Sequence, residues 1–447
     1  MRRLYSDFAY SRGPIAGCHW AGAVPDQALE FPVIAGDQRA DVVVVGGGYT
    51  GLNAALHLAE AGRAVTLLDA EFPGFGASGR NGGFCCLGGT RATNLQLKLT
   101  GDPGEVRRAE VAAIDHVADL LDRLQIDADR QAHGELIVAH SRASAAGFPA
   151  LAQEVAEDYG VTAKVIARED MVARGMGGRW QGALHVPLGF SLHPRKYLQG
   201  LLRAALAAGV QVHGNSAVQN IDHGPEGLVI RTAGARIRAD QMVLATNGYT
   251  SESVPPWIRS RTLPSQSSVI ATRAMTPEEL SAQGWTTRLM AYEDRRLLHY
   301  FHLTPDNRMV FGQRGGLLSS AANDARIADR VRRDFARVFP EWAHVETPHS
   351  WSGMVCLTAS LTPYCGPIPG LPGAFTAFGY HGNGVAMGSY LGARLADLMQ
   401  GIDPRGVLPQ AFRRVPPRFP LGPLRRAWLA AEYGWSLMTD RADYAAS

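Results

Sequence analysis

The spacing of apolar and polar residues along this 447-residue chain changes period several times. Val42 to Val45 is an unbroken β-branched run, the pattern of a strand buried on both faces of a parallel sheet. Leu52, Ala55, Leu56 and Ala59 then recur at helical spacing until Gly62 stops them, and Ala64 to Leu68 reads as a second apolar strand. Helical periods return at about 105–124, 150–159, 193–208 and 325–339. Strand-like runs lie at GELIVA (134–139), VQVHG, GLVIRT and RIRADQMVLAT. From 264 to about 315 the period is two: SSVIAT and LLHYFHLTPDNRMVFGQ alternate like antiparallel strands, joined by turns such as Pro305-Asp306-Asn307. The last ordered pattern, GAFTAFGYHGNGVAMGSYLGARLADLMQ, reads as strand, glycine loop and helix.

The junction between the first strand and first helix carries chemistry. Gly46, Gly48 and Gly51 stand in the register GxGxxG. The first glycine takes the tight turn, the second lets backbone approach a pyrophosphate, and the third lets helix and strand pack closely. The helix N-terminus then directs its open N–H groups at the phosphates. Asp69 closes the next strand 18 residues after Gly51, near the spacing for a carboxylate that binds a ribose hydroxyl. A 2′-phosphate beside Asp69 would bring two anions together, so the ligand is FAD or NAD rather than NADP. A second glycine loop near the C-terminus tips this choice towards FAD.

Composition narrows the class further. The length exceeds one typical core, so two domains are expected, with a third possible. A net charge of +3 without a long basic block does not point to nucleic acid. The five cysteines form neither a CxxC pair nor a zinc spacing, so no metal site is expected and the thiols read as reduced. The N-terminus lacks the apolar core of a signal peptide, and no apolar run reaches the 18 residues of a spanning helix. These features suggest a soluble, cytoplasmic protein with no integral membrane segment.

Five segments together resemble the D-amino-acid-oxidase-like FAD-dependent amine oxidoreductases, and within them the gamma-glutamylputrescine oxidoreductase-like branch. They are DVVVVGGGYTGLNAALHLAEAG, GASGRNGG (76–83), VLATNGY (243–249), WSGM (351–354) and FGYHGNGVAMGSYLGARLADLM (378–399). The resemblance implies an α/β (α+β) fold: a glutathione-reductase-like FAD-binding Rossmann domain with an interleaved antiparallel-sheet substrate domain. The FAD-binding domain would be discontinuous, over 39–90, 190–262 and 350–402, with the substrate domain at 91–189 and 263–349. Residues 1–38 would form a packed N-terminal extension, and 403–447 a C-terminal helical extension.

The same resemblance implies the cofactor residues. They are Gly46, Gly48, Tyr49, Thr50 and Gly51 in the first loop, Asp69 and Ala70 after the second strand, and Ala77, Ser78, Arg80, Asn81, Gly82 and Gly83 around the flavin. Val218 would meet the adenine, Ala245, Thr246 and Gly248 would flank the dinucleotide, and Gly379, Gly382, Asn383, Gly384 and Val385 would approach the flavin pyrimidine edge. Relatives that attach flavin covalently use cysteine or histidine; Arg80 stands at the histidine position and Cys356 aligns poorly with the cysteine. Non-covalent FAD is therefore expected.

Flavin oxidation of an amine needs few protein groups, because the cofactor carries the hard step while protein positions and desolvates the substrate. On a strand, Tyr300 and His302 share one face and His299 and Phe301 the other. Tyr300 and His302 are substrate-side candidates, with His381 of the late glycine loop. Gln266 stands where the family's basic residue near the oxygen-reactive site is sought. The expected activity is oxidation of the C–N bond of an amine or N-substituted amino acid, with oxygen or another electron acceptor. An FAD dehydrogenase using a non-oxygen acceptor and a catalytically altered flavin-binding protein remain alternatives. The basic segment from Pro417 to Arg441 is amphipathic and reads as a helix docked on the FAD domain, with a membrane-surface role through its arginines and tryptophans as the alternative.

Overall fold

The computed structural model describes residues 2–88, 103–225, 227–295, 297–316, 318–403, 407–431 and 433–434. The expected substrate segment 91–189 and helical extension 403–447 therefore lie partly outside the described residues.

Two large sheets share the chain. The first is built on the β-branched run: β1 (Gly36–Val45) lies between β2 (Val65–Leu68) and β11 (Ala235–Leu244), parallel to both. β8 (Gln211–His213) extends this sheet beyond β2, and β18 (Ala374–Phe378) extends it beyond β11, both in parallel. β17 (Tyr364–Pro367) closes one edge antiparallel, while β9 (Asn220–Gly224) and β10 (Gly227–Arg231) form a hairpin against the first half of β11. Val42, Val43 and Val44 are wholly buried, as a strand covered on both faces requires. Helices α1 (Tyr49–Glu60), α2 (Pro103–Arg123), α4 (Pro194–Ala207) and α6 (Ala386–Met399) pack with this sheet in one core, and α3 (Phe148–Tyr159) lies against α2.

The second sheet has the order β16-β12-β15-β14-β13-β4-β6-β5. Its strands are β4 (Glu135–Val138), β5 (Lys164–Ala167), β6 (Gly182–Val186), β12 (Leu263–Ala271), β13 (Met290–Glu293), β14 (His299–Leu303), β15 (Met309–Arg314) and β16 (His349–Leu357). All neighbours are antiparallel except β4 and β13. One face is sealed by an aromatic cluster in which Phe301 and Phe311 meet Trp180, Trp285 and Phe339, and Phe335 of α5 (Ala321–Val338) joins it. The other face turns towards the first sheet, where the small ribbon of β3 (Phe84–Cys85) and β7 (Phe190–Ser191) also lies.

Residues 350–357 were expected in the nucleotide-binding part, yet β16 pairs along the whole of β12 and so belongs to the second sheet. A local pattern identifies a strand, whereas its partner lies nearly ninety positions earlier in the chain. The N-terminal segment makes four short 3-10 turns and buries Trp20, Leu29 and Ile34. No described helix is long and apolar enough to cross a membrane.

Candidate functional site

Between the two sheets lies a cavity of about 1630 Å³. That exceeds the range of roughly 300–1,000 Å³ usual for one small ligand, so it has room for a dinucleotide and a substrate together.

The wall on the first sheet is glycine-shaped. Gly46 has φ +108°, and a Cβ there would sit 2.8 Å from the Ala245 carbonyl oxygen. Gly51 is not on the cavity surface; a Cβ on it would lie 1.9 Å from the Gly46 carbonyl oxygen, so this glycine sets the approach of α1 to the strand turn. Asp69 lines the cavity and accepts hydrogen bonds from the N–H groups of Gly47 (2.8 Å) and Glu71 (3.0 Å). Burial raises its carboxyl to about 6 against the pull of those amides. Ser78 Oγ accepts the Tyr49 N–H at 2.9 Å, which joins the glycine turn to the second loop. The Tyr49 hydroxyl is turned inward and donates to the Pro194 carbonyl at 3.0 Å. The Thr50 hydroxyl meets the Tyr380 hydroxyl at 2.7 Å. Gly48, Ala70, Ala77, Gly82, Val218, Ala245 and Thr246 also lie on the wall.

Two residues expected around the flavin are occupied otherwise. Arg80 lines the cavity, but its guanidinium donates to the carbonyls of Phe75 (2.9 Å) and Ser352 (3.1 Å) and lies against the rings of Phe75 and Tyr249. It ties this loop to β16. Asn81 Nδ2 donates to the Ser78 carbonyl (3.0 Å), and its Oδ1 accepts the Gly83 N–H (2.8 Å), so its amide staples the turn. Gly83 and Gly248 are not cavity residues; a Cβ on Gly83 would lie 2.2 Å from the Leu192 carbonyl oxygen.

The late glycine loop closes one end. Gly379 lies behind the wall and donates its N–H to Asn247 Oδ1 at 3.0 Å, whereas His381, Gly382, Asn383, Gly384 and Val385 face the cavity. His381 Nε2 is 3.0 Å from the Thr358 hydroxyl, and Arg314 donates to the His381 carbonyl at 2.8 Å. Burial, assisted by Arg314, lowers the imidazole to about 3, so it is neutral near pH 7. Asn383 is 5% exposed, and among the described residues neither its Oδ1 nor its Nδ2 has a partner; the buried Thr246 hydroxyl also lacks one there. Buried polar atoms without partners on a cavity wall are what a polar ligand satisfies. Together with the glycine clearances and Asp69, they fit FAD.

The opposite wall comes from the second sheet. Tyr300 reaches the cavity: a Cβ on Gly82 would come within 2.6 Å of its ring, and its hydroxyl is 2.9 Å from Ser267 Oγ. His302 shares that face of β14 but stops beneath the Gly82–Gly83 turn. Its Nε2 is 2.9 Å from the Gly82 carbonyl, and its ring lies parallel to Trp20; it is a support, not a wall residue. Gln266 points the other way. Its Nε2 donates to Asp324 of α5 at 2.7 Å, while its neighbours Ser265 and Ser267 line the cavity.

Several wall residues escape the sequence reading: Arg314, Tyr292, Glu135 and, from the two ends of the chain, Tyr10, Trp428 and Tyr433. The Tyr433 and Ser265 hydroxyls are hydrogen-bonded. One signal was available for Glu135, a lone acid heading the apolar strand GELIVA.

The family described as "FAD dependent oxidoreductase" (DAO) matches residues 41–398. The chain is 30% identical over 435 residues to a "Probable oxidoreductase OrdL" of Rhizobium meliloti (strain 1021), covering 96% of this chain and 99% of that one. It is 32% identical over 374 residues to the "Gamma-glutamylputrescine oxidoreductase" of Escherichia coli (strain K12), covering 81% and 84%. Among solved structures, glycine oxidase from Geobacillus kaustophilus superposes with a TM-score of 0.68 at 20% identity, covering 83% of this chain and 98% of that one. Iminodiacetate oxidase from Chelativorans sp. BNC1 gives 0.68 at 19% identity, covering 82% and 98%.

Proposed function

The chain belongs to the FAD dependent oxidoreductase family, and from that premise we propose that it oxidises the C–N bond of a small amine or N-substituted amino acid. The product is an imine that hydrolyses in water. One observation carries this reading: a single cavity is walled on one side by the dinucleotide fingerprint and on the other by Ser267, Tyr300, Tyr292 and Glu135 of the antiparallel sheet. The relative named for gamma-glutamylputrescine supports an amine as the substrate.

Bound FAD would supply the hydride acceptor for the carbon beside the nitrogen. Asp69 is suited to the ribose hydroxyls, the open N–H groups of the first turn of α1 to the pyrophosphate, and Gly382 to Val385 to the ring edge. Tyr300 and the sheet wall hold the amine against this face and exclude water, which favours the neutral amine that gives up hydride. Non-covalent attachment is the reading for the cofactor, because burial pushes the Cys356 thiol up to about 12 and Cys86 well above its ordinary range. Neither thiol is a thiolate nucleophile at neutral pH.

The test is anaerobic. The yellow protein is mixed with diamines, their γ-glutamyl derivatives, N-methyl amino acids and D-amino acids, and flavin absorbance is followed. Bleaching by one class supports the reading and names the substrate group. Recolouring on admitting air then separates an oxidase from a dehydrogenase. A flavin that no amine reduces overturns it.

A further inference from the structure

Two buried carboxyls flank Leu87 and Gly88: Glu135 accepts the Leu87 N–H, and a Cβ on Gly88 would lie 3.1 Å from Glu110 Oε1. Glu110 of α2 has a cation: Arg107 Nη1 lies 3.1 Å away, and the Tyr159 hydroxyl donates at 2.7 Å. Glu135, at the head of β4, has none among the described residues. It accepts from the Tyr292 hydroxyl at 3.0 Å and from the Leu87 N–H at 3.4 Å. It is only 2% exposed, yet it forms part of the cavity wall.

Ionising a buried carboxyl without a cation is costly, and an apolar residue would fill the same place more cheaply. The cost is offset when the bound molecule brings the positive charge. The surrounding wall suits such a molecule: the rings of Tyr159, Tyr292 and Tyr300 line the same cavity, and aromatic faces attract ammonium groups.

Resting on the amine-oxidation reading, we infer that Glu135 and Tyr292 form a subsite for a second, non-reacting ammonium group, so that the substrate is a diamine or a derivative keeping two cationic nitrogens. The nitrogen at Glu135 is not the one oxidised. A carboxylate in contact holds an amine in its protonated form, which has no lone pair to assist hydride loss. Spacing agrees. Tyr292 and Tyr300 are directly paired across β13 and β14, Tyr300 packs on the Gly82 turn, and Glu135 sits on β4, the next strand beyond β13. Two strand spacings and a two-residue offset along β4 separate the backbone positions of Tyr300 and Glu135, roughly 12 Å. With a side chain reaching in from each position, the remaining gap suits an extended six-carbon diamine.

The experiment uses flavin-loaded protein under anaerobic conditions at pH 8, titrated calorimetrically with 1,6-diaminohexane and with hexylamine. Wild type is expected to bind the diamine at least about tenfold more tightly; E135Q binds the two within about twofold of each other. Gln keeps both local contacts, since its oxygen accepts the Leu87 N–H and its amide donates to the Tyr292 hydroxyl. Y292F, which leaves the carboxylate in place, retains the preference. If E135Q loses its flavin, Glu135→Asp carries the test, with the preference falling to about threefold. Equal affinities in wild type, or an undiminished preference in flavin-loaded E135Q, overturn the subsite. Flavin bleaching is recorded separately. A Glu135-dependent preference without bleaching by any amine leaves the subsite standing and removes the oxidation chemistry.

Discussion

Asp69 and Glu135 sit on opposite walls of one cavity, and each closes or opens a strand of a different sheet. Asp69 accepts two backbone N–H groups at 3.0 Å or less, whereas Glu135 has one phenol and one longer amide contact. Burial raises both carboxyls, Asp69 to about 6 but Glu135 to about 8, where nearby Glu110 adds to the rise. The difference lies in what each is prepared to meet. An anion already solvated by amides suits neutral hydroxyl donors, while one left without positive charge suits a cation.

The largest expected effect breaks the Asp69 side. Asp69→Ala removes the anchor of the Gly47 turn and the acceptor for ribose hydroxyls. Hydrogen bonds to charged groups contribute about 1.5–3 kcal/mol each, so loss of two weakens FAD binding by at least roughly 100-fold. Fluorimetric titration of the apoprotein with FAD checks this. E135Q in the same titration stays near wild type, because Glu135 stands on the other sheet and its hydrogen bonds go to Leu87 and Tyr292 rather than to the fingerprint; a comparable loss in both variants would erase the distinction.

The second prediction uses pH. Glu135 has a raised value, so it is mostly protonated below about pH 8 and must release its proton to hold a cation. Alkyl ammonium groups stay charged until about pH 10. Diamine affinity in wild type therefore rises by up to about tenfold per pH unit from pH 6 towards 8, then levels; E135Q gives a flat profile. Among the described residues, the ionisable groups facing Glu135 are Tyr292 on β13, Glu110 on α2, Tyr159 on α3 and Cys86 after β3. Burial keeps the two tyrosines and the thiol neutral over this range. A raised carboxyl also makes the ligand-free protein lose stability as pH climbs from the unfolded value of about 4 to the folded value. Thermal unfolding of E135Q is expected to be less pH-dependent across that window.

A smaller effect comes from the residue between the two carboxyls. Tyr300→Phe keeps the ring against Gly82 but deletes the hydroxyl near Ser267. Loss of one neutral hydrogen bond is about 1 kcal/mol, so the limiting rate of anaerobic flavin reduction falls by roughly fivefold. Stopped-flow measurement reads it. No change would show that the ring alone positions the substrate.

The two walls also differ in how far the sequence discloses them. The fingerprint wall is local: strand, glycine turn, helix and acid follow one another within Val42 to Asp69, and their spacing carries their geometry. The fates of Arg80 and Asn81 were hidden even there. Arg80 is held partly by Ser352, 272 positions away, and no local pattern supplies that partner. The sheet wall is assembled from β4, β12, β13, β14 and β15, which meet only through long-range pairing. Alternation placed Tyr300 and His302 on one face correctly, but not the depth at which the Gly82–Gly83 turn covers His302.

Gln266 shows the limit of that alternation and supplies the smallest effect. Side chains on a strand change face at every residue, so an error of one position in register sends a residue from cavity to core. Ser265 and Ser267 line the cavity, and Gln266 between them bonds to Asp324 on α5. Gln266→Ala is therefore expected to leave FAD affinity and flavin reduction within about twofold of wild type. It should still lower the thermal midpoint by a few degrees, because Asp324 loses a donor at a partly buried site and the volume of the buried Gln266 side chain is left empty. Ser267→Ala, one residue along, reverses the signature: it slows flavin reduction by removing the partner of Tyr300, with less effect on the midpoint. If Gln266→Ala were the slower enzyme of the two, the face assigned to β12 would have to be exchanged, and with it the wall that opposes the fingerprint.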